Sequence, residues 1–156
     1  MSADYLVVYP TDPKFVPSED RAAAALAVFR VVMRDDIEIS ERRFNGVGFE
    51  AAGPDMESVS CPACGVELAR NPENMDWLVA ELERVWTPEE GYWPLDVTTP
   101  CCGSSSSLND LVYNPPQGFA SWSLSARNPT YEMDDWEREL VGAALGMSVR
   151  HVYQRV

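Results

Sequence analysis

The chain opens with the apolar run Tyr5-Leu6-Val7-Val8-Tyr9, rich in β-branched and aromatic residues and stopped by Pro10, which predicts a strand. Pro13 and Pro17 then enforce a loop. Ser18 is placed as a helix N-cap, with Glu19 and Asp20 suited to the positive end of the helix dipole. Ala22, Leu26, Phe29 and Met33 recur at helical spacing and predict one buried stripe on a helix from about Ser18 to Arg34. Arg34-Asp35-Asp36 ends it. Arg42 to Ala51, with Gly46 and Gly48, reads as a second strand or hairpin arm.

Cys61 to Gly103 breaks the rhythm. Asn74 to Trp86 predicts a helix with Leu78, Leu82 and Val85 on one face, and Tyr92 to Val97 reads as extended. Ser104 to Ser107 reads as a flexible loop, Leu108 to Tyr113 as a short strand or turn, and Pro115-Pro116 as a breaker. Phe119 to Ala126 alternates, with Phe119, Ser121, Ser123 and Ser125 on one side and Ala120, Trp122, Leu124 and Ala126 on the other. Asp134 and Glu137 form a capping-box pattern ahead of Leu140, Ala143, Ala144 and Met147, and Gly146 sits as the C-cap glycine. A last strand follows from Ser148 to Val156, with Val149, His151 and Tyr153 on one face. The order is β-α-β, insert, β-α-β. The expected fold is therefore α+β: a ferredoxin-like β-α-β-β-α-β sandwich formed by residues 1–60 and 104–156, interrupted by a zinc-ribbon-like insert with one helix at 61–103.

The insert is where the cysteines are. Cys61 and Cys64 lie in Cys-Pro-Ala-Cys-Gly, a turn that aims two thiolates at one ion while backbone N–H groups bond their sulfurs. Cys101 and Cys102 lie in Thr-Pro-Cys-Cys-Gly, where adjacent cysteines replace the usual two-residue gap and Thr99 stands where a knuckle ligand belongs. Either both Cys101 and Cys102 bind, or one does and another group completes the shell. The expected ligand set is Cys61, Cys64, Cys101 and Cys102 around a structural Zn²⁺. A disulfide pairing suits secreted chains, and the N-terminus MSADYLVVYP lacks a basic, apolar signal. A redox Cys-Pro-x-Cys needs a helix starting at its first cysteine, whereas Gly65-Val66-Glu67-Leu68 and Pro72 follow here.

Cys61-Pro62-Ala63-Cys64-Gly65 resembles the knuckle of the zinc-ribbon superfamily. Thr99-Pro-Cys-Cys-Gly, Ser107-Leu-Asn-Asp-Leu and Pro116-Gln-Gly-Phe-Ala together resemble a group of small, uncharacterised bacterial proteins, mostly actinobacterial, over roughly residue 55 to the C-terminus. The resemblance implies a zinc-bearing cytoplasmic domain and carries no reaction chemistry.

Charge narrows the function. The 156 residues carry 25 Asp and Glu against 12 Lys and Arg, a net charge of −13, which argues against unaided binding to nucleic acid or anionic lipid. The excess is densest in the middle: residues 61–106 hold 8 acids and 2 bases. No apolar run approaches the ~18 residues of a membrane-spanning helix. A cytoplasmic, non-enzymatic protein is expected: acid–base chemistry most often recruits histidine, and the one histidine, His151, on a predicted strand beside Arg150, reads as a partly buried or surface residue that is a zinc ligand only if the last strand passes close to the knuckles. Ser104 to Ser107 lacks a nucleophile elbow, and Gly46-Val47-Gly48 lacks the Lys and following helix of a phosphate loop. Asp35-Asp36 and Asp134-Asp135 suit helix ends better than catalysis. The functional expectation is an acidic, zinc-containing adaptor or immunity-type module docking a basic protein partner; of Trp77, Trp86, Trp93, Trp122 and Tyr92 most serve the core, and one or two Trp exposed amid acids would make the binding patch. Two alternatives stand beside it: a nucleic-acid-binding zinc-ribbon protein gathering Arg42, Arg43, Arg127, Arg150 and Arg155 on one sheet face, and a thiol or metal-dependent enzyme.

Overall fold

The computed structural model describes residues 3–34 and 38–156. Asp35 and Asp36, read above as part of the helix terminator, lie outside the described residues. The first strand, β1 (Asp4–Pro10), leads to α1 (Glu19–Met33), capped by the Ser18 side chain, which accepts from the Arg21 N–H. The strand β2 spans Ile39–Glu50. After a 3₁₀ turn at Gly53–Asp55 come β3 (Ser58–Ser60), β4 (Glu67–Arg70), α2 (Asp76–Val85), β5 (Trp86–Thr87), β6 (Gly91–Tyr92), β7 (Asp96–Thr98), β8 (Ser105–Ser107) and β9 (Val112–Asn114). The chain closes with β10 (Gly118–Arg127), α3 (Asp135–Leu145) and β11 (Val149–Arg155). The result is an α+β fold.

One sheet runs β11-β1-β10-β2-β6-β5, in which β1 is antiparallel to both β10 and β11, and β10 is antiparallel to β2. Alternation along each strand sends its side chains to two different cores. Leu6 and Val8 of β1, with Trp122, Leu124 and Ala126 of β10, pack under Phe29 and Met33 of α1 and Val141 and Leu145 of α3. Val7 and Tyr9, with Phe119 and Val152, face the opposite side and pack against Leu68, Leu78, Leu95 and Val97 of the insert and the flanking Val59 and Leu108. Each fully buried aliphatic or aromatic side chain is worth roughly 1.5–3 kcal/mol of transfer free energy, so neither layer is an appendage. Covered on both faces, β10 is buried from Gly118 to Ala126, including the serine side that alternation alone would leave wet. Ser121 there donates to the Pro13 carbonyl at 2.7 Å.

Three local readings are corrected. Leu26 is only half-buried, and Ala25 and Val32 join Ala22, Phe29 and Met33 in the buried stripe of α1. On α3 the capping box and the left-handed Gly146 form as expected, yet the buried stripe is Glu137-Val141-Leu145, leaving Leu140 and Ala143 outside. Glu137 turns inward because it serves the capping box and accepts from the Tyr131 hydroxyl at 2.7 Å, which rotates the helix away from Leu140. Ser104 to Ser107 is not a loop. Ser105–Ser107 forms β8, held by backbone pairing to β7 irrespective of its poor strand propensity.

The sheet is extended towards the insert by a close backbone approach. Strand β2 bulges between Arg43 and Gly48, and Val47 pairs in parallel with Gly91 of β6. Gly91 has φ +67°, and a Cβ there would lie 2.2 Å from the Val47 carbonyl oxygen. Gly46, at φ +95°, would likewise drive a Cβ to 2.5 Å from the Glu90 carbonyl. These two glycines let the bulge and the 87–91 turn touch. No helix among the described residues is long and apolar enough to cross a membrane.

Candidate metal centre

Two short hairpins carry the cysteines. In the first, β3 turns through Cys61–Val66 into β4, with Cys61 N–H donating to the Val66 carbonyl and Gly65 N–H donating to the Cys61 carbonyl, both at 2.9 Å. In the second, β7 turns through Thr99–Ser104 into β8, with Thr99 N–H donating to the Ser104 carbonyl and Gly103 N–H donating to the Thr99 carbonyl, again at 2.9 Å. Gly65 and Gly103 both take left-handed φ, +78° and +69°, and a Cβ at either would meet open space. β9 pairs with the far side of β3 and buttresses the first hairpin.

The turns face each other and bring all four thiol sulfurs within 4.8 Å of one another. Cys61 Sγ lies 3.8 Å from Cys102 Sγ, and Cys64 Sγ lies 3.3 Å from Cys101 Sγ. A tetrahedron of sulfurs at ~2.3 Å from a central ion has edges of about 3.8 Å, the Cys61–Cys102 separation itself and about half an ångström longer than Cys64–Cys101. The same separations far exceed the ~2.05 Å of a disulfide, and all four cysteines are free. Cys61 is buried in the insert core, whereas Cys64, Cys101 and Cys102 are exposed. Four cysteines in this arrangement can hold a metal ion.

The protein groups around the sulfurs favour thiolates. The Cys102 thiol is held down to about 6, first by the Ser104 hydroxyl 3.0 Å away, then by the Thr99 hydroxyl at 3.5 Å and the Ser104 backbone N–H. Backbone N–H groups of Cys64 and Ala63 lower the Cys61 thiol. Cys101 moves the other way, up to about 12, by desolvation and then by its contact with the Cys64 sulfur. Without an ion, the quartet therefore holds a mixture of thiol and thiolate. A bound cation supplies the charge that lets every sulfur ionise.

The remaining candidate residues do not join this centre. His151 lies on the α3 side of the sheet, half-buried, with Nδ1 3.0 Å from Arg138 Nη1. Asp134 is the N-cap of α3 and Asp135 pairs with Arg138. Arg42, Arg43, Arg127, Arg150 and Arg155 each face a carboxylate, from Glu50, Glu41, Glu38, Asp110, and Asp4 with Asp55 respectively. The insert covers the sheet face that Arg42 shares, and Arg43 points to the other side, so the five do not form one basic surface. Among the aromatics, Trp122 is fully buried and donates to Glu41 at 2.8 Å, Trp77, Trp93 and Tyr92 line the insert core, and Trp86 is half exposed.

Two features carry no signal in the sequence. Glu50 is completely buried, accepting from Arg42 at 3.4 Å and from Gln154 at 3.0 Å, contacts set by the β2 bulge rather than by local spacing. Trp136 and Leu140 stand exposed one turn apart on α3 once that helix takes its actual rotation. Compared with protein families, curated proteins and solved structures, the chain matches none of them.

Proposed function

We propose that the chain is a zinc-braced, non-catalytic binding module that docks a basic protein partner through the carboxylate-rich surface of its cysteine-held insert. The strand order β11-β1-β10-β2, with α1 and α3 against one face, supports a ferredoxin-like frame. The facing knuckle hairpins support a zinc-ribbon-like insert. Four sulfur ligands favour Zn²⁺ in a closed tetrahedron, which leaves no coordination position for a reacting water and suits a structural role.

The observation that carries the docking reading is an imbalance of partners. The insert's two arginines are consumed internally, Arg70 by Glu67 at 2.6 Å and Arg84 by Glu81 at 2.6 Å. Among the described residues, Glu73, Asp76, Glu83, Glu89, Glu90 and Asp96 are exposed with no ion-pair partner. Four zinc-bound thiolates add two further negative charges. Such a surface accelerates the approach of a cationic partner, and Trp86, 50% exposed beside Glu83 and Glu89, offers the apolar anchor that electrostatics alone lacks.

Two measurements test this. Metal analysis of the purified chain should find about one zinc per chain, and less than about half an equivalent would sink the zinc reading. Affinity capture from a lysate, repeated with the Asp76→Asn/Glu83→Gln/Glu90→Gln variant, should lose a basic protein whose association rate falls as salt rises. Capture unaffected by both salt and the triple substitution would remove the docking reading.

A further inference from the structure

The two knuckles correspond position by position, 38 residues apart: Ser58 to Asp96, Cys61 to Thr99, Pro62 to Pro100, Ala63 to Cys101, Cys64 to Cys102 and Gly65 to Gly103. Their turn hydrogen bonds match in donor, acceptor and length, and the glycines match in conformation. In the first knuckle the ligand stations are Cys61 and Cys64. The corresponding stations of the second are Thr99 and Cys102, while Cys101 corresponds to Ala63, whose side chain offers no ligand atom.

We infer that Thr99 occupies a ligand station of the second knuckle without ligating, that Cys101 completes the shell from the tip of the turn, and that the Thr99 hydroxyl positions the sulfur it displaced the need for. This deepens the metal reading above and rests on it. Three observations carry the assignment. Thr99 and Cys61 are equally buried, each 1% exposed, as residues at equivalent inward stations should be. The Thr99 Oγ1 lies 3.5 Å from Cys102 Sγ and also bonds the Ser104 backbone, accepting from its N–H at 3.2 Å, so it faces the sulfur of its own knuckle from inside the turn. Cys101 is exposed at the outer edge, 3.3 Å from Cys64 Sγ. A cysteine Sγ and a threonine Oγ1 both hang directly from Cβ, so exchanging one for the other at position 99 aims a sulfur where the hydroxyl now points. Hydroxyl donors to a ligating sulfur fix its direction and temper its basicity, and losing such a partner typically weakens metal binding about 10–100-fold.

The test follows from the register. Full-length wild type, Cys101→Ala, Thr99→Cys/Cys101→Ala, Thr99→Val and Thr99→Ser are loaded with Co²⁺ to count thiolates by charge-transfer absorbance, and with Zn²⁺ for competition against a chromophoric chelator. Cys101→Ala should show three thiolates and weakened binding, and Thr99→Cys/Cys101→Ala should return to four thiolates and recover most of the lost affinity. With all four cysteines kept, Thr99→Val should bind Zn²⁺ about 10–100-fold more weakly, and Thr99→Ser should bind close to wild type. The assignment is overturned if the double variant keeps the three-thiolate spectrum, or if Thr99→Val binds as tightly as wild type. A wild type that takes up neither Co²⁺ nor Zn²⁺ stoichiometrically overturns the metal reading itself, a failure distinguishable from either.

Discussion

Replacing Arg42 with methionine leaves the Glu50 carboxylate buried with only Gln154 to answer it, because Arg42 supplies its sole cationic partner at 3.4 Å. Removing one member of a fully buried ion pair costs about 3–5 kcal/mol. Glu50 is wholly enclosed, but the Arg42 side chain is 39% exposed, so water already shares part of the pairing. A cost of about 2–3 kcal/mol is the consistent figure after that discount. For a chain of this length it corresponds to a fall in melting temperature of roughly 4–12 °C. Glu50→Gln keeps the shape and the Gln154 contact while removing the charge, and should cost about 1 kcal/mol or less. In the double variant nothing charged remains buried, so its cost should fall below that of Arg42→Met alone. Urea titrations followed by circular dichroism, on metal-loaded reduced protein, give the four free energies of the cycle. A coupling of at least about 1.5 kcal/mol is expected; additivity within about 0.5 kcal/mol would show that the pair does not act as one buried unit.

Three further outcomes are expected. Gly91→Ala should cost more than about 3 kcal/mol, since its Cβ would meet the Val47 carbonyl at 2.2 Å, whereas Gly65→Ala, with a similar φ and open space, should cost only the left-handed penalty of about 1–2 kcal/mol; equal melting temperatures for the two would contradict the close approach. Burial, and then Arg138, holds the His151 imidazole below its usual 6.5, against the opposing pull of Asp135 and Glu132, so the folded state binds fewer protons than the unfolded one. Stability should therefore decline as pH falls below about 6.5, and His151→Gln should flatten that part of the stability–pH curve measured by thermal melts; an unchanged slope would reject it. Chelation under reducing conditions should raise amide exchange in 58–70 and 96–107 well before it does so in β1 and β10, whereas uniform loss of protection would mean that the hairpins and the large sheet open together.

The parts of this molecule legible in the sequence are those set by local chemistry. Ser18, Asp134, Glu137 and Gly146 mark helix ends because caps act within one turn of their own residue, and Cys-Pro-Ala-Cys-Gly writes its knuckle into five consecutive residues. The Thr99 puzzle was visible too, since the knuckle spacing alone exposes the mismatch. What sequence spacing could not supply was anything decided by a distant layer. Ser121, Ser123 and Ser125 of β10 are buried by distant segments, Ser121 reaching the Pro13 carbonyl. The capping box does not show which face of α3 is buried, and it is Glu137, Val141 and Leu145 that turn inward while Leu140 stays exposed. Ser105–Ser107 became a strand because β7 lay waiting for it, and Glu50 became a core residue because a bulge in its own strand folded Arg42 back onto it.

The separation of the two cores also constrains how the molecule can respond. The helix-side and insert-side clusters have no buried residue in common: Leu6 and Val8 of β1 belong to one and Val7 and Tyr9 to the other, while β10 gives Phe119 and Ala120 to the insert side and Trp122, Leu124 and Ala126 to the helix side. A single thickness of peptide is thus the partition between a layer stitched by sulfurs and a layer packed by helices. A disturbance at the cysteines can reach α1 or α3 through those strands and also through the loop ahead of α1, where the Thr11 carbonyl accepts from Asn109 and Lys14 sits 4.7 Å from the centre of the Trp93 ring. A change on the metal-bearing side therefore meets the helical side across one shared sheet and one shared loop.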